Sequence, residues 1–483
     1  MSLAMHRGPK AAEETLYADV ARRIESLIED GTFGSGDKVP SVRRLAIQFR
    51  VSVTTAVQAY RLLENRGVIE ARPQSGYYVR PRLTRAAAPA PTVRRMPLEP
   101  AGATRVENLL MRVMGDDSNP NLVPLGKAVP NPSLLPTEKL NRAMGTMMRR
   151  HRVLSNSYDT QPGCELLRVQ VAKRALSSGC VLSPRDIITT CGAQEAIGLA
   201  LRAVCKPGDI VAIDSPTFYG HLQMIEALGY RALEIPLDPR EGPRLDDLAA
   251  AIKAHKVSVF LCITNFQNPL GCTMGMDAKR EMVELLERRG VPLIEDDIYG
   301  DLPHGDQRPG VAKSFDATGN VILCSSYSKT LAPGYRVGWV APGKWYREIS
   351  RLKTLTNIAT PMPTQLAVAD FLENGGYDHH LRKIRRIYAH QCAAMAAAVA
   401  EHFPAGTRVS SPTGGYVLWV ELPTGTDTLD LYERAIAAGI GFAPGALFAP
   451  GNRYRNCLRL NAAFWDDRVR AAIVTLGRMA GRS

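Results

Sequence analysis

From about Asn121 onward the chain alternates short β-rich runs with amphipathic stretches. DIITTCG, DIVAID, VSVFLCIT, VPLIEDD and NVILCS are such runs, and helical stretches follow most of them. This alternation predicts an α/β fold, a mainly parallel sheet with helices on both faces. In such sheets ligands sit outside the carboxyl ends of the strands. The residues with the most chemistry to offer all follow strands.

Gly192-Ala193-Gln194 ends one run and opens the helix GAQEAIGLALRAV. Free amides at a helix N-terminus suit an anion, a phosphate best of all, although small residues also sit there for packing alone. Phe218 in DSPTFYG, taken singly, is an aromatic of the core, and Asn268-Pro269 in TNFQNPLG is a turn. Asp296, in VPLIEDDIYG, stands at the end of an apolar strand with Asp297 and Tyr299. Buried carboxylates there are costly unless a cation or donors meet them. Lys329 follows the run NVILCS, among Ser326 and Ser328, with Arg336 seven positions later. An aldehyde cofactor with a phosphate tail unites the set. Lys329 forms the Schiff base, while Ser326, Ser328, Arg336 and the Ala193 and Gln194 amides take the phosphate. Asp296 keeps a pyridine nitrogen protonated, which makes the ring an electron sink. Asn268 and Tyr299 hold the phenolic oxygen, and Phe218 stacks on the ring. Phosphate-sugar or nucleotide binding without Schiff chemistry leaves Lys329 next to Asp296 unexplained.

The motifs NPLG, DDIYGDL, SYSKTLAPGYRVGW, GGYVLW and CLRLN, in that order, resemble the fold-type I pyridoxal-phosphate aminotransferases over residues from about 122 to 478. The resemblance implies pyridoxal 5'-phosphate as cofactor. It also implies a smaller C-terminal subdomain and two further roles. Tyr158, in NSYDTQPG, is similar to the tyrosine that reaches the neighbouring subunit's phosphate, which implies a homodimer. Arg459 is similar to the arginine that pairs bidentately with an amino acid's α-carboxylate. Ala193 departs from the family, where serine is frequent, so one phosphate hydroxyl is missing.

The first eighty residues read differently. Leu16, Val20, Ile24 and Ile28 recur at helical spacing up to Gly31. Pro40 opens a short second helix with Arg43 on its exposed side. Ser52 caps a third helix whose inward stripe is Ala56, Ala59, Tyr60 and Leu63. Val53, Thr54 and Thr55 are left on the exposed first turn, the part of a helix-turn-helix that meets base edges. Val68–Ala71 and Tyr77–Arg80 alternate like strands around Gln74-Ser75-Gly76, a hairpin wing. KVPSVRRLA, VSVTTAV, AYRLLENRG and SGYYV resemble the winged helix-turn-helix of GntR-type regulators. The resemblance implies DNA contacts from Arg43, Ser52, Thr54 and Thr55, with Ser75 and Gly76 at the wing. Val53 and Val57 stand where some members carry arginines.

The expected organisation is a winged helix at 12–80, a linker at 81–120 and the aminotransferase-like domain at 121–483. Prolines at 81, 89, 91, 97 and 100 suit an extended tether. A GntR-type head joined to such a domain resembles the MocR subgroup of transcription regulators. That implies double-stranded operator DNA as partner and a small amino compound as effector, sensed by imine exchange. A working aminotransferase with a residual DNA-binding head is the other reading. Net charge is +13. The excess is diffuse, its local cluster (Arg80, Arg82, Arg85, Arg94, Arg95) falling in the tether, so charge permits DNA binding without showing it. Nine scattered cysteines without a C-x-x-C pair, and histidines without metal spacing, point to a reduced cytoplasm and no metal site. No apolar run reaches the ~18 residues of a membrane helix, and the N-terminus lacks a signal-peptide core.

Overall fold

The computed structural model describes residues 16–30, 32–34, 36–65, 68–72, 75–79, 88–92, 107–116, 119, 121–158, 162–451 and 453–481. It divides into two compact units, 1–85 and 86–483.

In the small unit, helices Leu16–Glu29, Val42–Phe49 and Val53–Asn65 precede an antiparallel hairpin, Ile69–Arg72 with Gly76–Val79. The predicted stripes meet in one core: Val20, Ile24, Ile28, Leu45, Ala56, Ala59, Tyr60, Leu63, Ile69 and Val79 are all buried. Ser41, rather than Pro40, caps the second helix, its Oγ accepting from the Arg44 amide at 3.3 Å. Residues 36–39 add a further strand-like segment to the hairpin, Val79 N donating to Asp37 O and Val39 N to Tyr77 O. Gly31 and Gln74 lie outside the described residues.

The large unit is built on an eight-stranded sheet. Its order is Ile188–Thr190, Gly338–Ala341, Val321–Ser326, Leu293–Asp296, Val257–Cys262, Ile210–Ser215, Arg231–Asp238, Gly242–Pro243. Only Gly338–Ala341 and Gly242–Pro243 run against the rest. Side chains alternate between two apolar layers, as strand pleating dictates. Val211, Ile213, Val259 and Leu261 join the larger core with helix Ala193–Val204. Ala212, Phe260 and Cys262 face helices Leu245–Ala254 and Met276–Arg288. A second, antiparallel sheet (Arg408–Val409, Val417–Glu421, Cys457–Asn461, Ala443–Pro444) forms the C-terminal subdomain.

Of the linker expected over 81–120, residues 88–92, 107–116 and 119 are described. Its described residues belong to the large unit. Pro89 O accepts from Val409 N at 3.1 Å and Ala90 O from Arg408 Nη1 at 3.2 Å, at the edge of the C-terminal sheet. Thr92 donates to both oxygens of Glu421, from its amide (2.8 Å) and its hydroxyl (2.6 Å). Helix Glu107–Asp116 buries Leu110 and Val113 in the larger core. Proline-rich chain cannot build a core, but its carbonyls can still be taken up by a sheet edge.

Candidate active site and candidate DNA interface

The strand ends converge as the alternation predicts. Strand Leu293–Asp296 ends on Asp296 and strand Val321–Ser326 on Ser326, with Lys329 three residues on. Lys329 Nζ donates to Ala128 O at 2.6 Å. Burial pulls its pKa down to about 8, and the positive charges of Arg459 and Arg336 act the same way, against Asp296. A lysine so tuned offers a neutral, nucleophilic amine far closer to neutrality than an exposed one does.

Asp296 is buried, with Oδ1 lacking any hydrogen-bond partner and Oδ2 at 3.2 Å from His221 Nε2. His221 is buried too, and its Nδ1 lies 3.5 Å from Thr217 Oγ1, which donates to Asp214 at 3.0 Å. Burial lifts Asp214 to about 6, against His221 and donors from Gln267 and Thr217. Phe218 packs edge-on against His221, ring centroids 5.5 Å apart. Tyr299 is buried with its hydroxyl beside that of Tyr416 but in no hydrogen bond of ordinary geometry, and burial pushes its pKa up. Asn268 accepts from Arg459 Nη1 at 3.1 Å.

Arg459 is wholly buried. Nη2 donates to Gly126 O, Nε has no partner, and the guanidinium lies 5.0 Å from the Phe448 ring centroid. Asn461, on the same strand, holds the carbonyls of Lys127 and Val129 at 2.7 and 3.0 Å. The arm of residues 126–129 is therefore bonded by Arg459, Asn461 and Lys329.

The anion cup is shaped by glycine. Gly192 caps helix Ala193–Val204 at φ +82°, and a Cβ there would meet Arg336 Nη2 at 2.5 Å. A Cβ on Gly338 would meet Gly192 C at 2.5 Å. Arg336, in the left-handed region at φ 54°, donates to Cys191 O (3.1 Å) and Ser328 Oγ (3.4 Å). Ser326 Oγ accepts from the Ser328 amide at 3.3 Å. Ala193 is buried and Gln194 exposed in the first turn.

The structure thus brings Lys329, Asp296, Asn268, Tyr299, Phe218, Ser326, Ser328, Arg336, Arg459 and the Ala193–Gln194 turn to one crevice. Tyr158 is the exception. It is 79% exposed, and its side chain makes no hydrogen bond among the described residues. His221 escaped the sequence reading, although a histidine one helical turn after Phe218 was the available signal. Among the described residues no group of three or more His, Cys, Asp or Glu is placed to hold a metal ion.

These residues fit pyridoxal phosphate. A buried carboxylate oxygen without a donor can meet a protonated ring nitrogen. Paired serines, an arginine and helix-end amides can meet a phosphate, and a lysine of lowered pKa stands between them.

On the small unit the candidate interface is all surface. Arg43, Ser52, Thr54, Ser75 and Gly76 are exposed and Thr55 is partly so. Ser52 Oγ accepts from the Thr55 amide at 3.0 Å and lies 2.8 Å from its hydroxyl, and Ser75 Oγ lies 2.6 Å from Tyr78 OH. Val53 is half-exposed, an apolar side chain on the first turn of the third helix.

Residues 16–79 match the family of bacterial regulatory proteins of the gntR type, and residues 134–475 match the aminotransferases of class I and II. The uncharacterized HTH-type transcriptional regulator YdcR of Escherichia coli is 37% identical over 96% of this chain and 98% of its own length. A kynurenine aminotransferase from Pyrococcus horikoshii, solved with PMP, superposes with a TM-score of 0.72 at 31% identity. The match covers 79% of this chain and 95% of that one. LysN, an α-aminoadipate aminotransferase from Thermus thermophilus complexed with N-(5'-phosphopyridoxyl)-L-leucine, gives 0.69 at 28%, over 77% and 96%. Among the described residues no helix is long and apolar enough to cross a membrane. The chain belongs to the MocR-type regulators of the GntR superfamily, DNA-binding proteins whose larger part is a pyridoxal-phosphate aminotransferase domain.

Proposed function

We propose that this regulator senses a small amino compound at the pyridoxal-phosphate site and passes the event through the tether to its DNA-binding head. One observation carries the reading. The tether and the residue set to receive a carboxylate share one small sheet. Trp419 pairs with Arg459 across strands Val417–Glu421 and Cys457–Asn461, and two residues along, Glu421 holds Thr92.

The cofactor, when bound, supplies an aldehyde that exchanges imine linkages between Lys329 and an amine, and a ring that withdraws electrons. The chain's own residues do the rest. Lys329 would present an amine with a larger neutral share than an exposed lysine has, and Asp296, backed by His221, would face the ring nitrogen. Asn268 and Tyr299 would hold the phenolic oxygen, and Phe218 would cover the ring. Ser326, Ser328, Arg336 and the Ala193 and Gln194 amides would take the phosphate. Arg459 would take a carboxylate through the N–H groups that its bonds to Gly126 O and Asn268 Oδ1 leave over, Nε among them.

In a cytoplasmic homodimer, Tyr158 would complete the partner's phosphate site, which agrees with its exposure. Arg43, Ser52, Thr54, Thr55 and the wing residues Ser75 and Gly76 would contact the operator.

The test is reciprocal binding. Operator affinity should change several-fold when the right amino acid is added, and the amino acid's affinity should change by the same factor with operator, since coupling is typically about 1–3 kcal/mol. Arg459→Ala should remove the effect for carboxylate-bearing amines alone. Catalytic transamination is the second reading, favoured by the completeness of the Lys329, Asp296 and Arg459 set. Turnover of about 1–10³ per second with no promoter fragment bound would establish it instead.

A further inference from the structure

Glu195 poses a problem that the cofactor reading leaves open. It lies in the first turn of helix Ala193–Val204, beside the amides set to receive a phosphate dianion. A carboxylate interacts well with a helix N-terminus, and for that reason it competes there with any other anion. Its charge does not stand alone. Lys353, on helix Tyr346–Asn357, has a side chain only 1% exposed and places Nζ 3.0 Å from Glu195 Oε2 and 3.3 Å from Oε1. Asn357 Nδ2 donates to Oε1 at 2.5 Å.

Glu195 has a task of its own in this turn. Its Oε2 accepts from the Cys191 amide at 2.6 Å, while Cys191 O accepts from Arg336. The Cys191-Gly192 turn is thus pinned by Glu195 from one side and by Arg336 from the other. Lys353 is itself fixed, donating to Thr360 Oγ1 at 2.8 Å, whose hydroxyl donates to Thr189 O at 3.3 Å on the strand leading into the cup.

We propose that Lys353 is a positioning residue for the cofactor phosphate. It neutralises Glu195, so that the carboxylate shapes the Cys191-Gly192 turn without repelling the dianion the turn receives. The proposal rests on the reading that the Gly192–Gln194 turn and Arg336 take the phosphate. It is specific to charge on the ligand, since pyridoxal without its phosphate has nothing for Glu195 to repel.

Spectroscopic titration of cofactor-free full-length protein with pyridoxal 5'-phosphate and, separately, pyridoxal provides the test. Lys353→Met should weaken pyridoxal phosphate by about tenfold or more, as an uncompensated buried charge requires, and leave pyridoxal within about twofold. Lys353→Met with Glu195→Gln should restore the phosphate form, because glutamine still offers an oxygen to the Cys191 amide. Glu195→Gln alone should tighten the phosphate form only, a result that does not depend on the Met variant folding. Equal losses for both ligands, or no recovery in the double variant, would overturn the proposal while leaving the cup reading intact. Wild-type protein that binds both ligands alike would overturn the cup reading, and the proposal with it.

Discussion

The two candidate sites are held together in opposite ways. On the small unit, the side-chain hydrogen bonds of Ser41 with Arg44, Ser52 with Thr55 and Ser75 with Tyr78 each span three residues. In the crevice the spans are 75 residues from His221 to Asp296, 191 from Asn268 to Arg459 and 201 from Ala128 to Lys329. The first site is a surface decorated on a local scaffold, so its residues can be changed with little effect on the fold. The second is assembled only when the whole large unit folds, so most of its residues serve folding and chemistry together.

Lys329 breaks that pattern in an instructive way and offers the largest effect. Among the described residues its amine makes one hydrogen bond, to Ala128 O, and its burial is incomplete, so Lys329→Ala should leave the fold intact. Borohydride-reducible capture of the cofactor should disappear altogether. Capture by the wild type should also depend on pH in a defined direction. Below about 8 the folded lysine is an ammonium, and its nucleophilic fraction falls tenfold per unit. Capture should therefore quicken up to about pH 8 and level off above it, whereas an unperturbed lysine would go on gaining up to ~10.4. The same sign appears in stability. Between those two values the unfolded chain binds the proton that the folded chain has lost, so this lysine adds stability as pH rises through that window. A capture rate still climbing at pH 10 would remove the tuning from the account.

How much of this was legible follows from the same contrast. The strand–helix alternation announced the parallel sheet, because pleating and burial leave a period that survives in the sequence. The helices of the head were readable from stripes such as Ala56, Ala59, Tyr60 and Leu63, all of which are buried. Crevice residues carried in motifs, such as Asn268 in NPLG or Lys329 in SYSK, could be named before their neighbours were known. The Glu195–Lys353 pair and the carbonyls of Gly126 and Ala128 could not. Their significance lies in contacts between distant segments that no spacing records. The tether is a separate case, because whether proline-rich chain floats or docks depends on a sheet edge more than three hundred residues away.

That docking gives the intermediate effect. Glu421→Ala removes both carboxylate acceptors of Thr92, while the side-chain hydrogen bonds described for Lys329, Asp296 and Arg459 are made to other residues. Cofactor capture should be unchanged, and operator binding without effector should remain. The effector's several-fold influence on operator affinity should shrink towards none, a loss of up to about 1–3 kcal/mol of coupling. Full coupling in this variant would mean that the signal leaves the C-terminal sheet by another route.

The smallest effect is the sharpest test of the local site. Ser52 and Thr54 stand two residues apart on one helical turn, yet the structure gives them different work. Ser52 caps the helix through the Thr55 amide, whereas the Thr54 side chain is exposed and makes no hydrogen bond among the described residues. Ser52→Ala should cost about 1 kcal/mol of small-unit stability, with operator affinity falling as the first turn frays. In a domain of this size that is a drop of about 4–8 °C in its melting temperature. Thr54→Ala should leave melting unchanged and instead relax discrimination at one base pair, by about 1 kcal/mol for a single lost contact. Both readouts matter, because a residue that only shapes the helix and one that only reads the groove would otherwise look alike in a binding assay. If Thr54→Ala melted early, or bound matched and mismatched operators as the wild type does, the exposed turn would lose its role as the reading surface. The contrast between decorated and assembled sites would then fail at its simplest point.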